Sequence, residues 1–101
     1  LAPSIDIIRK LKSEKAKIKA YDPKAMENSR KILDVSYCSN PYEASKNADS
    51  MLILTEWQEF KDIDLTKIKK EMKMPLIFDG RNIYNKERMK SLGFEYYCIG
   101  R

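Results

Sequence analysis

The sequence predicts one α/β domain with three layers, in which helices cover both faces of a mostly parallel β-sheet. Stretches with the helical period alternate with short apolar stretches along the whole chain, and capping residues mark where helices begin. The length of 101 residues suits a single hydrophobic core. Apolar residues make up 43% and charged residues 35%, which is typical of a folded domain rather than a disordered chain.

Each predicted helix begins at a side chain that can accept a hydrogen bond from the first turn. The strongest start is Asn40-Pro41, because a cap and a proline at the first helical position are followed by Glu43 three residues after the cap. Pro75 and Gly93 are expected to end the last two helices. The predicted starts are Ser4, Asp22, Asn40, Asp64 and Asn85.

Short apolar stretches between these helices are predicted to be the strands of the sheet. In the first of them Ile18 and Ala20 alternate with lysines, which indicates a strand with one better-buried face. The stretch at 50–55 is apolar from Met51 to Leu54 and is expected to be a strand covered on both faces. The predicted strands lie near residues 16–20, 35–38, 50–55, 76–78 and 94–99.

The order of the elements gives one expectation about the centre of the sheet. A Rossmann-like domain normally opens with a strand that lies mid-sheet, whereas this chain opens with a predicted helix. We therefore expect the first central strand to be missing from this chain, with the strands near 18 and 36 on one side of the gap and the other three on the other. Unpaired backbone groups would each cost about 1–3 kcal/mol if buried. Either a strand precedes Leu1, which we favour, or the strand order differs.

The distribution of charge argues against a nucleic-acid partner. Residues 1–20 hold six basic and two acidic side chains, so they carry +4 of the total net charge of +5. No aromatic residue interleaves with these lysines, so a solvated surface is favoured over a nucleic-acid patch. The longest apolar run, Met51 to Leu54, is too short to cross a bilayer. We expect a cytoplasmic protein without a membrane partner.

The residue inventory makes catalysis or metal binding by this chain unexpected. Histidine, the commonest general base and metal ligand, is absent. Cys38 and Cys98 are separated by 60 residues and lack a C-x-x-C signature, so both are expected to be reduced and partly buried. A catalytic thiol is the less favoured interpretation, because no obvious base lies beside either cysteine.

Open parallel sheets bind ligands at the carboxyl ends of their strands, and three segments of the sequence fall there. They are Tyr21-Asp22, Thr55-Glu56-Trp57 and Asp79-Gly80-Arg81-Asn82. Asp22 lacks a preceding G-x-G-x-x-G loop, so it is read as a helix cap rather than a cofactor ligand. Trp57 with Phe60 is read as packing, and Glu56 alone is a weak candidate for a base.

Arg81 is the leading candidate for a ligand contact. Gly80 lets the backbone turn close to a ligand without a Cβ in the way. The guanidinium that follows can bind a phosphate through paired hydrogen bonds. The alternative is an ion pair between Arg81 and Asp79 or a neighbouring acid, and the residues alone leave both interpretations open.

Taken together, several segments resemble the C-terminal domain of the UDP-glucose 6-dehydrogenases of bacteria and archaea. The similarity covers essentially the whole chain in the same order. The T-E-W segment at Thr55-Glu56-Trp57 and the F-D-G-R-N segment at residues 78–82 are the most specific, and they favour this branch over relatives acting on GDP-mannose or UDP-N-acetylmannosamine. The remaining segments are Ser4 to Ile8, Ala20 to Met26, Ile53-Leu54 with Phe60, Ile83-Tyr84, and Gly93 to Arg101.

The resemblance implies a UDP-sugar-binding domain, residues 1–101, within an NAD-dependent enzyme that oxidises UDP-glucose to UDP-glucuronate in two steps. It implies that Arg81, at the place of the family's F-D-G-R arginine, contacts the nucleotide sugar. NAD and the catalytic cysteine and lysine would belong to other domains, so this chain alone is expected to be inactive. The expected partners are a UDP-sugar, the remaining domains of the enzyme and, for the whole enzyme, further copies of itself.

The departures from the family pattern are absences. The glycine-rich NAD loop and the G-G-x-C type segment with the catalytic thiol are missing, and neither Cys38 nor Cys98 lies in such a context. The family's F-K segment, which also contacts substrate, would fall upstream of Leu1. These absences restrict the expected role to part of a binding site.

Overall fold

A computed structural model describes residues 9–21, 36–54 and 58–98 of the chain. The chain divides into two compact units, Leu1–Ala44 and Ser45–Arg101. The predicted helix starts at Ser4 and Asp22 lie outside the described residues, as do Thr55-Glu56-Trp57 and the end of the last predicted strand.

The first unit contains a short parallel strand pair. Strands β1 (Lys19–Ala20) and β2 (Ser36–Tyr37) pair in parallel, with Lys19 opposite Ser36 and Ala20 opposite Tyr37. Both are shorter than predicted. Within β1 the lysine is exposed and the alanine is half-buried, as the alternation of the sequence predicts.

The helix that precedes β1 ends without a glycine. Residues 9–13 are helical, and the backbone then turns at Lys15, whose φ is 68°. The N–H of Ala16 donates to the Leu11 carbonyl at 3.0 Å and that of Lys15 to the Lys12 carbonyl at 2.9 Å. These are the two bonds of a Schellman motif, in which a left-handed residue ends the helix. A lysine in this position is strained, because its Cβ crowds the backbone.

Helix α1 (Pro41–Ser45) begins as predicted at Asn40, whose Oδ1 accepts the N–H of Glu43 at 2.8 Å. It ends earlier than the predicted Asn47, which has a left-handed φ of 59°. Asn47 instead donates its N–H to the Glu71 carbonyl at 2.7 Å.

The second unit is built on a parallel sheet with the order β3-β4-β5. Its strands are β3 (Met51–Ile53), β4 (Leu76–Asp79) and β5 (Glu95–Cys98). Their register places Ile53, Asp79 and Cys98 side by side, so the carboxyl ends of the three strands lie together. The described strands therefore form the two parallel groups that the sequence predicts.

Three helices lie between these strands along the chain: α2 (Gln58–Lys61) and α3 (Leu65–Glu71) between β3 and β4, and α4 (Lys86–Ser91) between β4 and β5. The last two begin as predicted, with Asp64 Oδ1 accepting the Lys67 N–H at 3.2 Å and Asn85 Oδ1 accepting the Arg88 N–H at 2.9 Å. Helix α2 was not predicted, because a single turn of four residues carries no helical period.

Buried side chains come from α3, α4, the strands and the loops between them. Ile68, Ile77 and Met89 are fully buried. The remaining buried apolar residues of this unit are Ile53, Leu65, Met72, Tyr84 and Phe94. They form the core on one face of the sheet.

The other face of the sheet differs from the expectation that 50–55 would be covered on both sides. Leu52, Phe78 and Tyr97 are directly opposite one another in register, and their exposures are 38%, 43% and 50%. The rings of Phe78 and Tyr97 stack with centroids 5.4 Å apart. In the described residues, β3 and β4 thus have one buried and one exposed face.

Gly93 ends α4 as predicted, in another Schellman motif of the described residues. Its φ is 93°, and the N–H of Gly93 and Phe94 donate to the carbonyls of Lys90 and Met89, both at 3.0 Å. A Cβ on Gly93 would overlap the Lys69 side chain. The Lys69 ammonium is the end of a flexible side chain and can move aside, so the backbone conformation is what favours glycine here.

We predict that Gly93→Ala lowers the free energy of unfolding by about 1–2 kcal/mol, since alanine is forced into a left-handed backbone. Urea unfolding of the two proteins measures this difference. The reciprocal variant Lys15→Gly removes strain and should raise stability by roughly 0.5–1 kcal/mol. Equal stabilities of Gly93→Ala and the parent would contradict the role of the left-handed cap.

Candidate functional site

Arg81 lies where the sequence predicts, in the loop that follows β4 at the carboxyl edge of the sheet. Its side chain is exposed. The neighbouring candidates Asp22, Glu56 and Trp57 lie outside the described residues, while Tyr21 is half-buried in the other unit. Phe60 is half-buried in α2. Among the described candidates, Arg81 and Asn82 combine exposure with a strand-end position in the three-stranded sheet, and Arg81 is the charged one of the two.

The loop that carries Arg81 is organised around the carboxylate of Asp79. Asp79 is the last residue of β4 and only 1% exposed. It lies on the same face as the fully buried Ile77, because alternate strand residues share a face. The pattern of the strand therefore directs a charged side chain towards the core.

The buried carboxylate accepts hydrogen bonds from both sides of the loop. Its Oδ1 accepts the backbone N–H of Arg81 at 2.9 Å. Its Oδ2 accepts the backbone N–H of Ile83 at 2.8 Å and of Tyr84 at 3.2 Å, and the Tyr96 hydroxyl at 2.6 Å. Such charge-assisted bonds offset the large cost of removing a carboxylate from water.

Two tyrosines connect the loop to its neighbours. Tyr96 lies on β5, so its bond to Asp79 joins the end of β4 to the adjacent strand. Its hydroxyl also lies 3.1 Å from the Tyr84 carbonyl. The Tyr84 hydroxyl donates to the Phe60 carbonyl, which joins the far end of the loop to α2. The loop is therefore held at its start, its end and its side.

Gly80 and Arg81 form the turn that follows β4, and Asn82 comes directly after them. Asn82 has a left-handed φ of 54°, a conformation that asparagine tolerates better than most residues. The Gly80 N–H donates to the Ile53 carbonyl at 2.9 Å and so extends the pairing between β3 and β4. Gly80 is thus bonded to the end of β3, and the left-handed residue follows directly after Arg81.

Arg81 contacts Asp79 through its backbone, which bears on whether the two side chains form an ion pair. The carboxylate is contacted by the backbone N–H of Arg81, at 2.9 Å, and its oxygens also bind two other amides and a phenol. Asp79 therefore acts on the position of the Arg81 backbone. This role differs from the side-chain ion pair that the sequence suggested.

Both cysteines are free thiols, and Cys38 is buried while Cys98 is half-buried. Burial raises the pKa of the Cys38 thiol, and the nearby Glu43 carboxylate raises it further. A raised pKa lowers the thiolate fraction at neutral pH, and the thiolate is the reactive species. Cys38 is therefore poorly suited to be a nucleophile.

The described residues contain no cluster of three or more histidine, cysteine, aspartate or glutamate side chains placed to hold a metal ion. Within the same part of the chain, no helix is both long and apolar enough to cross a membrane.

With this geometry established, comparison with known proteins places the chain in a family. Residues 1–86, which include Arg81 and Asp79, match the UDP-glucose/GDP-mannose dehydrogenase family, UDP binding domain. The chain belongs to this family. The match confirms the resemblance inferred from the F-D-G-R-N and T-E-W segments.

Two relatives in this family are similar over almost the whole chain. A UDP-glucose 6-dehydrogenase of Rhizobium meliloti (strain 1021) is 43% identical over 99% of the chain, and the UDP-glucose 6-dehydrogenase TuaD of Bacillus subtilis (strain 168) is 43% identical over 99%. The chain spans 23% and 22% of their respective lengths. It therefore corresponds to about a quarter of these relatives.

A solved structure supports the Rossmann-like fold. The UDP-D-ManNAc dehydrogenase of Pyrococcus horikoshii matches 94% of the chain and 29% of its own length, with a TM-score of 0.59 and 21% identity. At 21% identity this similarity supports the fold of the chain and nothing further.

The tyrosines were not among the site residues predicted from sequence. A buried tyrosine generally needs a partner for its hydroxyl. Nothing in the spacing of Tyr84 or Tyr96 indicates that their partners are the Phe60 carbonyl and the Asp79 carboxylate. The one available signal was the concentration of tyrosines beside the F-D-G-R-N segment and in the last strand.

We predict that Tyr84→Phe lowers the free energy of unfolding by about 1–2 kcal/mol, because the Phe60 carbonyl loses its donor. Tyr97→Phe is the matched control, since its hydroxyl bonds the exposed Glu95 side chain and its ring can still stack on Phe78. Urea unfolding of both variants measures the difference. Equal losses of unfolding free energy in the two variants would contradict a specific stabilising role for the Tyr84 hydrogen bond.

Proposed function

We propose that this chain holds the UDP part of UDP-glucose within a larger, NAD-dependent UDP-glucose 6-dehydrogenase that forms UDP-glucuronate. The names of the 43%-identical relatives support the substrate, and the match to a UDP binding domain supports the part of it that is bound. Residues 1–101 would form the C-terminal UDP-sugar-binding domain. The chemistry would occur on other domains of the enzyme.

The position of Arg81 carries the proposal for the site. Its side chain is exposed at the carboxyl edge of a parallel sheet, where ligands of such folds bind. A guanidinium presents paired donors that match the oxygens of a phosphate. The loop beneath it is fixed by Asp79, so little conformational freedom remains to be lost on binding. We therefore assign Arg81 to the diphosphate of the nucleotide sugar.

The described residues do not form a glycine-rich loop of the kind that binds NAD in Rossmann domains. The chain has three glycines and no G-x-G-x-x-G loop. Of the two glycines described, Gly93 ends α4 beside the Lys69 side chain, and Gly80 bonds the end of β3. The cofactor therefore belongs to another domain of the proposed enzyme.

The proposed role of this domain is to bind and orient the substrate. Holding UDP in one position restricts the sugar to one location relative to the catalytic domains, and such positioning alone can contribute several kcal/mol to catalysis. This chain by itself is proposed to be inactive. Two free thiols fit a reducing compartment, which supports a cytoplasmic location. We also propose that the whole enzyme assembles into homo-oligomers.

We predict that Arg81→Ala in the intact enzyme weakens UDP binding by roughly 1.5–3 kcal/mol, the range of a charged hydrogen bond, or about 10- to 150-fold in Kd. The KM for UDP-glucose should rise accordingly. Arg88→Ala is the control, because Arg88 is an exposed arginine on α4 away from the strand-end loop. Titration calorimetry with UDP measures both variants. An unchanged UDP affinity in Arg81→Ala would remove Arg81 from the site.

The same calorimeter separates the rival functions. The proposed domain binds UDP in preference to GDP. Preference for GDP would indicate a GDP-mannose dehydrogenase, and equal binding of UDP and UDP-N-acetylmannosamine with no gain for UDP-glucose would favour the N-acetylmannosamine enzymes. Absence of UDP binding, with binding of ATP or a protein, would indicate a non-catalytic module of the same fold.

A further inference from the structure

We propose that Asp79 is a positioning residue, which together with the Tyr96 hydroxyl sets the place of Arg81 for the diphosphate. This inference rests on the proposed function, because it specifies how the site is held rather than what it binds. It assigns a binding role to a buried carboxylate that does not itself contact the ligand.

The geometry shows that Asp79 controls the backbone on both sides of Arg81. Oδ1 holds the Arg81 N–H at 2.9 Å, and Oδ2 holds the Ile83 N–H at 2.8 Å. The residue between them, Asn82, is in the left-handed conformation that closes the turn. With the amides of Arg81 and Ile83 bound to one carboxylate, the backbone of Arg81 is tied to Asp79 on both sides of Asn82.

The carboxylate is in turn held by its own surroundings. Asp79 is paired within the sheet, opposite Ile53 on one side and Cys98 on the other. The Tyr96 hydroxyl binds Oδ2 at 2.6 Å from the adjacent strand, which orients the carboxylate plane. The core of the sheet therefore sets the position of Arg81 through the Asp79 side chain.

A charge is needed for this arrangement. All of the described contacts to Asp79 come from N–H or O–H donors, so the side chain must accept at both oxygens. An asparagine of the same shape accepts at one oxygen only, and its amide group would face either the Arg81 N–H or those of Ile83 and Tyr84. Asp79→Asn therefore disturbs the loop without changing the size of the side chain.

The test measures UDP binding to the intact enzyme by calorimetry for Asp79→Asn, Arg81→Ala and the double variant. We expect Asp79→Asn to raise the UDP Kd about tenfold or more, and the double variant to bind no more weakly than Arg81→Ala. Such non-additivity arises when one residue acts through another. A purely structural role would lower the melting temperature and leave this coupling at zero.

Two further variants keep the test decisive if Asp79→Asn does not fold. Tyr96→Phe removes one of the bonds to Oδ2 and should raise the UDP Kd about threefold, again only when Arg81 is present. Tyr97→Phe, on the same strand, should leave the Kd unchanged. Ile68→Val, a core change in α3, controls for lower stability and should alter the melting temperature alone.

The outcomes separate this inference from the proposed function. A UDP Kd unchanged by Arg81→Ala contradicts the proposed site itself. A Kd raised by Arg81→Ala but unchanged in folded Asp79→Asn and in Tyr96→Phe overturns only the positioning role. Equal effects of Asp79→Asn with and without Arg81 also overturn it, because Asp79 would then act on UDP independently.

Discussion

The carboxylate of Asp79 is the interaction on which the strand-end loop depends. It is 1% exposed and ionisable, so it can remain in the core only if its oxygens are bound by donors. Three backbone amides of the following loop and the Tyr96 hydroxyl supply them. The hydrogen bonds that offset the cost of burying the charge are thus the same bonds that fix the conformation of the loop. A loop of another shape would leave the charge unsatisfied.

This constraint connects the core to the edge where ligands bind in parallel sheets. β4 places Ile77 and Asp79 on the buried face, and the loop then exposes Arg81 while returning Tyr84 to the core. Tyr84 bonds the Phe60 carbonyl, which brings α2 into the same network. An exposed arginine therefore extends from backbone that is fixed by buried groups. That arrangement suits a site that must hold a charged ligand in one position.

The sequence predicts those features that depend on neighbouring residues. Capping at Asn40, Asp64 and Asn85, and the end of α4 at Gly93, follow from local hydrogen bonds, and the structure confirms them. The grouping of the strands follows from the usual strand order of a Rossmann-like domain whose first strand is missing. Lys15 was missed because a left-handed lysine carries no sequence signal, and α2 because it is a single turn. The sequence offers Asp79 only as one alternative ion-pair partner of Arg81 and does not indicate its part in the loop, because its donors, backbone amides and a tyrosine 17 residues away, are joined only by the fold.

Amide hydrogen exchange tests most directly whether the Asp79 carboxylate holds the strand-end loop. If the Asp79 carboxylate holds the loop, the amides of Arg81, Ile83 and Tyr84 exchange slowly in the intact protein, although they lie outside any helix or strand. In Asp79→Asn these amides should lose protection together while the strand amides of β4 keep theirs. Fast exchange at these positions in the parent protein, or protection unchanged by the substitution, would contradict the account.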